Sequence, residues 1–127
     1  MIEKAEIMFL GTEYDLKVTY DCYQGEEITV EQSETVNLFM NYKKTIADRA
    51  IPDLRKYCQE YMNNIGEIYD DTKLAQYVIP KELFVRRSDE GYSFAVMCDF
   101  SADPEHGIAL VYDGLKFTEC GPQDLIF

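Results

Sequence analysis

The residue types that could do chemistry gather in one stretch, Cys98-Asp99-Phe100-Ser101-Ala102-Asp103-Pro104-Glu105-His106-Gly107, which holds three carboxylates and the only histidine of the chain. Oxygen-rich loops hold calcium, and carboxylates beside an imidazole hold a transition metal. An imidazole next to a carboxylate also serves as a general acid or base. The spacing matches neither an EF-hand nor an H-x-x-E-H or H-E-x-x-H pattern. Pro104 and Gly107 also suit a plain reverse turn in which Asp103 bonds its own backbone. Three readings therefore stand side by side: a structural turn, a divalent-metal site with Asp99, Asp103, Glu105 and His106 as ligands, and acid–base chemistry at His106.

Other catalytic apparatus is missing from the sequence. It contains no Gly-rich phosphate loop, no G-x-S-x-G elbow and no dinucleotide fingerprint. Ser101, Cys98 and His106 supply the letters of a nucleophilic set, but nearness along the chain is not the geometry a triad requires. Cys22, Cys58, Cys98 and Cys120 form no C-x-x-C pair, so they read as small buried hydrophobes of a protein kept in a reducing compartment. Ten tyrosines and seven phenylalanines without tryptophan point to packed sheet faces.

The elements that must position this stretch are legible as changes of period. Tyr14, Leu16, Val18, Tyr20 and Cys22 alternate with polar residues, the mark of a strand with one wet face. Gly11-Thr12-Glu13 reads as the turn from an earlier strand over Glu6 to Leu10, and Glu27 to Val30 as a short third strand. From Val36 to Ile65 apolar residues recur at threes and fours, the stripe of an amphipathic helix. Thr29 and Gln32 have capping-box spacing, and Gly66 is a stop. The spacing predicts a helical block from about Glu31–Glu34 to Asn64, either one helix kinked at Pro52 or, the favoured form, two segments meeting with Pro52 in the first turn of the second. Asp70-Asp71 can cap a short helix over Thr72 to Tyr77.

From Pro80 the period returns to two. Leu83–Arg87, Tyr92–Phe100, Ile108–Tyr112 and Leu115–Cys120 read as consecutive strands, with turns at Ser88-Asp89-Glu90-Gly91 and Asp113-Gly114. The expected architecture is α+β: an antiparallel sheet, made of an N-terminal and a C-terminal meander, packed against a central helical block in a single domain spanning residues 1–127.

Composition narrows the classes further. At 127 residues and 46% hydrophobic, such a chain buries roughly two thirds of its unfolded surface, which excludes general disorder. Its start lacks a basic n-region, and no apolar run approaches the length of a membrane span, so a cytoplasmic protein without a membrane partner is expected. The 24 acidic and 12 basic side chains give a formal charge of −12. Acidity is concentrated in residues 1–36, with 9 acids and 2 bases, and 99–127, with 6 and 1, whereas 37–64 carries 3 and 5. Acidic ends repel nucleic acid and steer a basic protein inward, or form a solvated surface that merely keeps the protein soluble.

The C-terminal third carries a resemblance. Cys98-Asp99-Phe100, then Asp103-Pro104-Glu105-His106-Gly107-Ile108-Ala109, Asp113-Gly114 and Cys120-Gly121-Pro122-Gln123-Asp124, together with Ile28-Thr29-Val30-Glu31-Gln32, resemble a family of small uncharacterised bacterial domains. Members tend to end in a Cys-Asp-aromatic, acidic-His-Gly, Gly-x-x-Asp pattern. The resemblance implies no established activity, and some such domains look like immunity proteins, which neutralise a toxin by binding. Two functions follow as expectations. The first is a non-enzymatic protein-binding module using an acidic surface at Asp99, Asp103, Glu105 and Asp124, with a basic protein such as a cognate toxin as partner and no cofactor. The alternative is a divalent-metal protein using Asp99, Asp103, Glu105 and His106. Oligomeric state is open.

Overall fold

Alternation places Ala5, Ile7 and Phe9 on the buried side of β1 (Lys4–Phe9) and Leu16 and Val18 on that of β2 (Thr12–Tyr20). The computed structural model describes residues 1–87 and 91–127. β1 and β2 are joined at Leu10-Gly11, with Phe9 opposite Thr12. This turn lies one to two residues before the expected Gly11-Thr12-Glu13, because both connecting residues take positive φ, 51° and 84°, as a two-residue hairpin of this hand requires. Leu10 accepts about 1 kcal/mol of left-handed strain while packing half-buried against the core.

The expected third strand over Glu27–Val30 does not form. Asp21 still reaches β3 (Val78–Val85) through a bond from its amide to the Val85 carbonyl, 2.9 Å, and the chain then leaves the sheet. The Thr29 amide is taken by Gln32 Oε1 at 2.9 Å, and Thr29 Oγ1 accepts the Gln32 amide at 3.1 Å. This reciprocal capping box starts helix α1 (Val30–Asn64), consuming backbone groups that a strand would need.

Helix α1 runs through Pro52 without a break; its only non-helical residue is Tyr42 (φ −126°, ψ 23°). The expectation of two segments meeting at Pro52 is thus corrected: the segments meet ten residues earlier. Proline removes the bond to the carbonyl four residues back, that of Asp48, and both Pro52 and Asp48 are exposed, so water can satisfy the freed group. At the far end Gly66 (φ 80°) bonds from its amide to Asn63 O, and the Glu67 amide to Met62 O, the paired bonds of a glycine-terminated helix. Asp70 caps a 3₁₀ turn (Asp71–Lys73) that leads into α2 (Leu74–Tyr77).

β3 lies parallel to β2, from Lys17 opposite Glu82 to Tyr20 opposite Val85, which is why a helical crossover must separate them. β4 (Ser93–Phe100), β5 (Ile108–Asp113) and β6 (Lys116–Gly121) then follow antiparallel, giving one six-stranded sheet in chain order. The α+β architecture is as expected, with one parallel pair uniting the two meanders. The last hairpin turns at Gly114-Leu115, one residue later than Asp113-Gly114, since Asp113 pairs with Lys116. The expected turn at 88–91 lies, for residues 88–90, outside the described residues.

The helix covers one face. Phe39, Ile46, Ala50, Leu54 and Cys58 meet Leu83, Phe94, Val96, Leu110 and Tyr112 there. Phe94 stacks on Tyr112 at 4.8 Å, and the Tyr112 hydroxyl donates to Ile46 O at 2.6 Å. The other face of β3–β5 is apolar as well, with Phe84, Ala95, Met97, Ala109 and Val111 buried and Ile126 packed on them. Among the described residues no helix is long and apolar enough to cross a membrane.

Two stability predictions follow. Gln32→Ala is expected to lower the unfolding free energy by about 2 kcal/mol, because it strands buried partners of its amide. Pro52→Ala is expected to raise it by about 2 kcal/mol, restoring a helical bond at an exposed position. Urea denaturation with an unchanged slope checks both.

Candidate functional site

The conspicuous stretch begins on β4, where pleating sends neighbouring side chains to opposite faces. Asp99 points outward, exposed, with its carboxylate 4.0 Å from Lys81 Nζ. Phe100 points inward and is buried against Tyr61 (5.3 Å) and Tyr57 (6.2 Å) of α1.

The chain then turns. The Asp103 amide donates to Phe100 O at 3.1 Å, and the Gly107 amide to Asp103 O at 2.9 Å. The Asp103 carboxylate, only 13% exposed, holds the His106 ring with Nδ1 3.0 and 3.1 Å from its two oxygens. It also accepts the His106 amide at 3.3 Å, and the Tyr61 hydroxyl lies close enough to lower its pKa. An ionised carboxylate can only accept, so Nδ1 carries the proton and Nε2 is the free position of a ring that is 43% exposed.

The turn is clamped to the C-terminal segment. The Gln123 amide donates to His106 O at 3.0 Å, and Gln123 Nε2 to Cys98 O at 3.0 Å. Gly107 lies at φ 59°, and a Cβ there would come within 2.6 Å of Cys98 O and of Gln123 Nε2, so glycine is required twice over. This docking brings Asp124 into the field of His106.

Electrostatics follow from that geometry. The hydrogen bond to Asp103 and then its charge raise the His106 pKa above 6.5 against a small opposing effect of burial, with Glu105 and Asp124 adding in the same direction. Asp103 is pushed up by burial, but the His106 side chain and amide and the Tyr61 hydroxyl together outweigh this and hold it below 3.8. Burial, helped by Cys120 and Asp103, pushes Tyr57 up to about 12. Burial likewise raises Cys58 and Cys120 to about 12 and Cys98 well above 9, so these thiols stay protonated and are poor nucleophiles.

Of the residues singled out from sequence, the fold brings Asp103, Glu105, Asp124 and His106 into one neighbourhood and turns Asp99 to the opposite face of the sheet. The four oxygen and nitrogen donors of the metal reading are therefore not assembled, and among the described residues no group of three or more His, Cys, Asp or Glu side chains is placed to hold an ion. Ser101 is exposed and engaged through its amide with Tyr77 O. Sequence reasoning passed over Tyr57, Tyr61 and Gln123 as working parts of the site. The tyrosines sit in the apolar stripe of α1 and carry no separate signal, and Gln123 stood out only as one letter of a C-terminal pattern. A cleft of about 890 Å³, lined by residues including Tyr20, Cys22 and Ile28, shares no residue with this site.

The pair makes a pH prediction. The raised His106 contributes stability that is full below its unfolded value of 6.5 and fades as pH rises through its higher folded value. The lowered Asp103 contributes stability that is full above 3.8 and is lost as pH falls through its lower folded value. The stability difference between wild type and Asp103→Asn should therefore peak between those limits and shrink on both sides, as read from urea midpoints across pH.

No curated protein and no solved structure matches the chain. Residues 2–127 match the model of the family described as Domain of unknown function (DUF6985), and with nearly its whole length covered the chain belongs to that family.

Proposed function

We propose that this protein is a non-catalytic binding module whose acidic end captures a basic protein. The observation that carries the reading is the convergence of Asp103, Glu105 and Asp124 on His106, on a turn clamped by Gln123 and Gly107. A net charge of −12 adds long-range steering toward a cationic surface. Asp103 is committed internally to His106, which leaves the exposed Glu105 and Asp124 to meet the partner. All four cysteines are free thiols, which suits a reducing compartment such as the cytoplasm. The resemblance to immunity-like domains agrees with a protein that acts by occupying its partner.

The test is affinity capture from the source organism, with wild type beside the double variant Glu105→Gln/Asp124→Asn, which leaves the clamp intact. Wild type should retain a basic protein at about 50 mM salt and release most of it at about 300 mM, where screening has shortened the range of surface charge. The double variant should bind that protein at least about tenfold more weakly, a loss of about 1.4 kcal/mol. Equal retention by both forms sinks the proposal, as does a partner whose binding ignores salt.

A further inference from the structure

The two edges of the sheet are finished differently. β6 closes one side with a bulge, where the extra residue Thr118 turns its hydroxyl back to Val111 O at 3.0 Å, a device that keeps other strands off an edge. β1 closes the other side with neither bulge nor proline, its register with β2 unbroken from Phe9 opposite Thr12 to Lys4 opposite Lys17. The two-residue turn makes Phe9 and Thr12 a bonded pair, and the Val18 amide donates to Glu3 O at 2.9 Å. Glu3, Ala5, Ile7 and Phe9 therefore bond β2, while Lys4, Glu6 and Met8 direct their amides and carbonyls away from the sheet.

The side chains of this edge are mismatched within their own hairpin. Lys4 stands directly opposite Lys17, and Glu6 directly opposite Asp15. Like charges so placed destabilise a ladder. Lys17 has Glu82 on its other side, whereas Lys4, at the margin, makes no ion pair among the described residues. The Glu13 carboxyl beside Glu6 raises its pKa above 4.5, with Asp15 adding to this and Lys43 opposing it. Exchanging Lys4 and Glu6 would match both positions, so the hairpin alone gives no reason for their order.

We infer that β1 pairs antiparallel with β1 of a second copy about a two-fold axis at Ala5, joining two six-stranded sheets edge to edge. Only residues with outward-directed backbone groups can bond across the seam, which limits the registers. A two-fold at Glu6 sets Glu6 against Glu6, and one at Ile7 sets Glu6 against Met8. The two-fold at Ala5 sets Lys4 against Glu6 of the second copy and Glu6 against its Lys4, each pair exchanging both backbone bonds. Charges unmatched within one chain are thus matched between two, and opposite charges in facing positions stabilise a ladder. Charged side chains ordinarily blunt an edge, but this pattern is self-complementary and admits its own copy in one register. The contact is isologous and closes on itself. β1 and β6 are the two margins of the sheet, about 24 Å apart at roughly 4.8 Å per strand, and the seam uses none of Asp103, Glu105, Asp124 or His106.

The test is sedimentation velocity on the full chain from about 5 to about 500 µM in about 150 mM salt, where a Debye length of about 8 Å screens the acids remote from the seam. An edge contact of this length is of transient size, so wild type should pass reversibly from monomer to dimer with a dissociation constant on the order of 100 µM. Lys4→Glu and Glu6→Lys should each weaken self-association at least about tenfold, because each sets like charges together across the seam. Mixed in equal amounts, the two variants should pair with each other as wild type pairs with itself, and the double variant Lys4→Glu/Glu6→Lys should dimerise again. Each single variant also removes a like-charge pair inside the hairpin, so its urea midpoint at about 5 µM should be no lower than that of wild type, which separates loss of the seam from loss of the fold. A wild type that stays monomeric, a single variant that associates as wild type does, or a double variant that stays monomeric overturns the inference.

Discussion

A single buried amide holds together the place where this chain leaves its sheet and returns to it. Gln32, 1% exposed, donates from Nε2 to Asp21 O at the exit from β2 and to Val85 O at the end of β3, at 3.1 and 3.4 Å. Its Oε1 accepts the Thr29 amide at the head of the helix and the Cys22 thiol. A parallel β2–β3 pair obliges the chain to climb out of the sheet, cross one face and come back. That route leaves the Asp21 carbonyl and the Thr29 amide without a ladder partner, each costing roughly 1–3 kcal/mol if left bare, and gives the Val85 carbonyl, which already accepts the Asp21 amide, a second donor. One side chain satisfies them all, so the start of α1, the wall formed by residues 21–28 and the joining of two meanders into one sheet are parts of one solution. Arg87 reinforces the same wall, bonding Glu27 O at 3.1 Å and pairing with Glu26 at 3.3 Å.

The helix launched from that point decides what stands at the opposite end. Thirty-five residues at 1.5 Å each make an element of roughly 50 Å, far longer than the strands it crosses, so its two ends serve different neighbourhoods. Near its start it carries the polar face that meets Tyr92. Near its finish Tyr57 and Tyr61 lie over Phe100, beside the turn that holds Asp103. The turn between β4 and β5 therefore has two supports from outside itself, an aromatic buttress from the helix and the Gln123 clamp from the C-terminal segment. Neither support is local in sequence, and together they fix where the carboxylates point.

Local signals were legible and distant ones were not. Capping chemistry is written in neighbouring letters, and Thr29 with Gln32, Gly66 and Asp70 each mark a boundary that the fold keeps. Period-two alternation likewise located β2, β4 and β5. The favoured division at Pro52 failed because an exposed proline whose partner carbonyl can be hydrated leaves the helix running. The real interruption, at Tyr42, has no letter to announce it. Glu27–Val30 looked like a strand because Ile28, Thr29 and Val30 favour one, but the capping box competes for the same backbone groups and wins. At the candidate site the turn could be read from Pro104 and Gly107, whereas the pairing of the His106 ring with Asp103 was not. That Asp99 faces away follows from the pleat of β4, and the roles of Tyr61 and Gln123 depend on contacts across 42 and 25 residues, which no local pattern encodes.

The division of labour among the carboxylates gives the site its logic. A carboxylate that is nearly buried must find partners, and Asp103 finds them in the His106 ring and the His106 amide. Its charge is thereby spent on holding the turn, and it contributes to an outside partner only through the field it helps create. Glu105 and Asp124 have no such internal duty and remain in solvent, where their charge can steer association but, being screened, gains little until a partner excludes water. His106 links the two roles, because it anchors Asp103 through Nδ1 while its own positive charge, when present, offsets that of Glu105 and Asp124. The same residue that gives the acidic end its shape therefore sets how acidic that end is, and a surface built in this way is rigid in geometry while its charge follows the proton concentration around it.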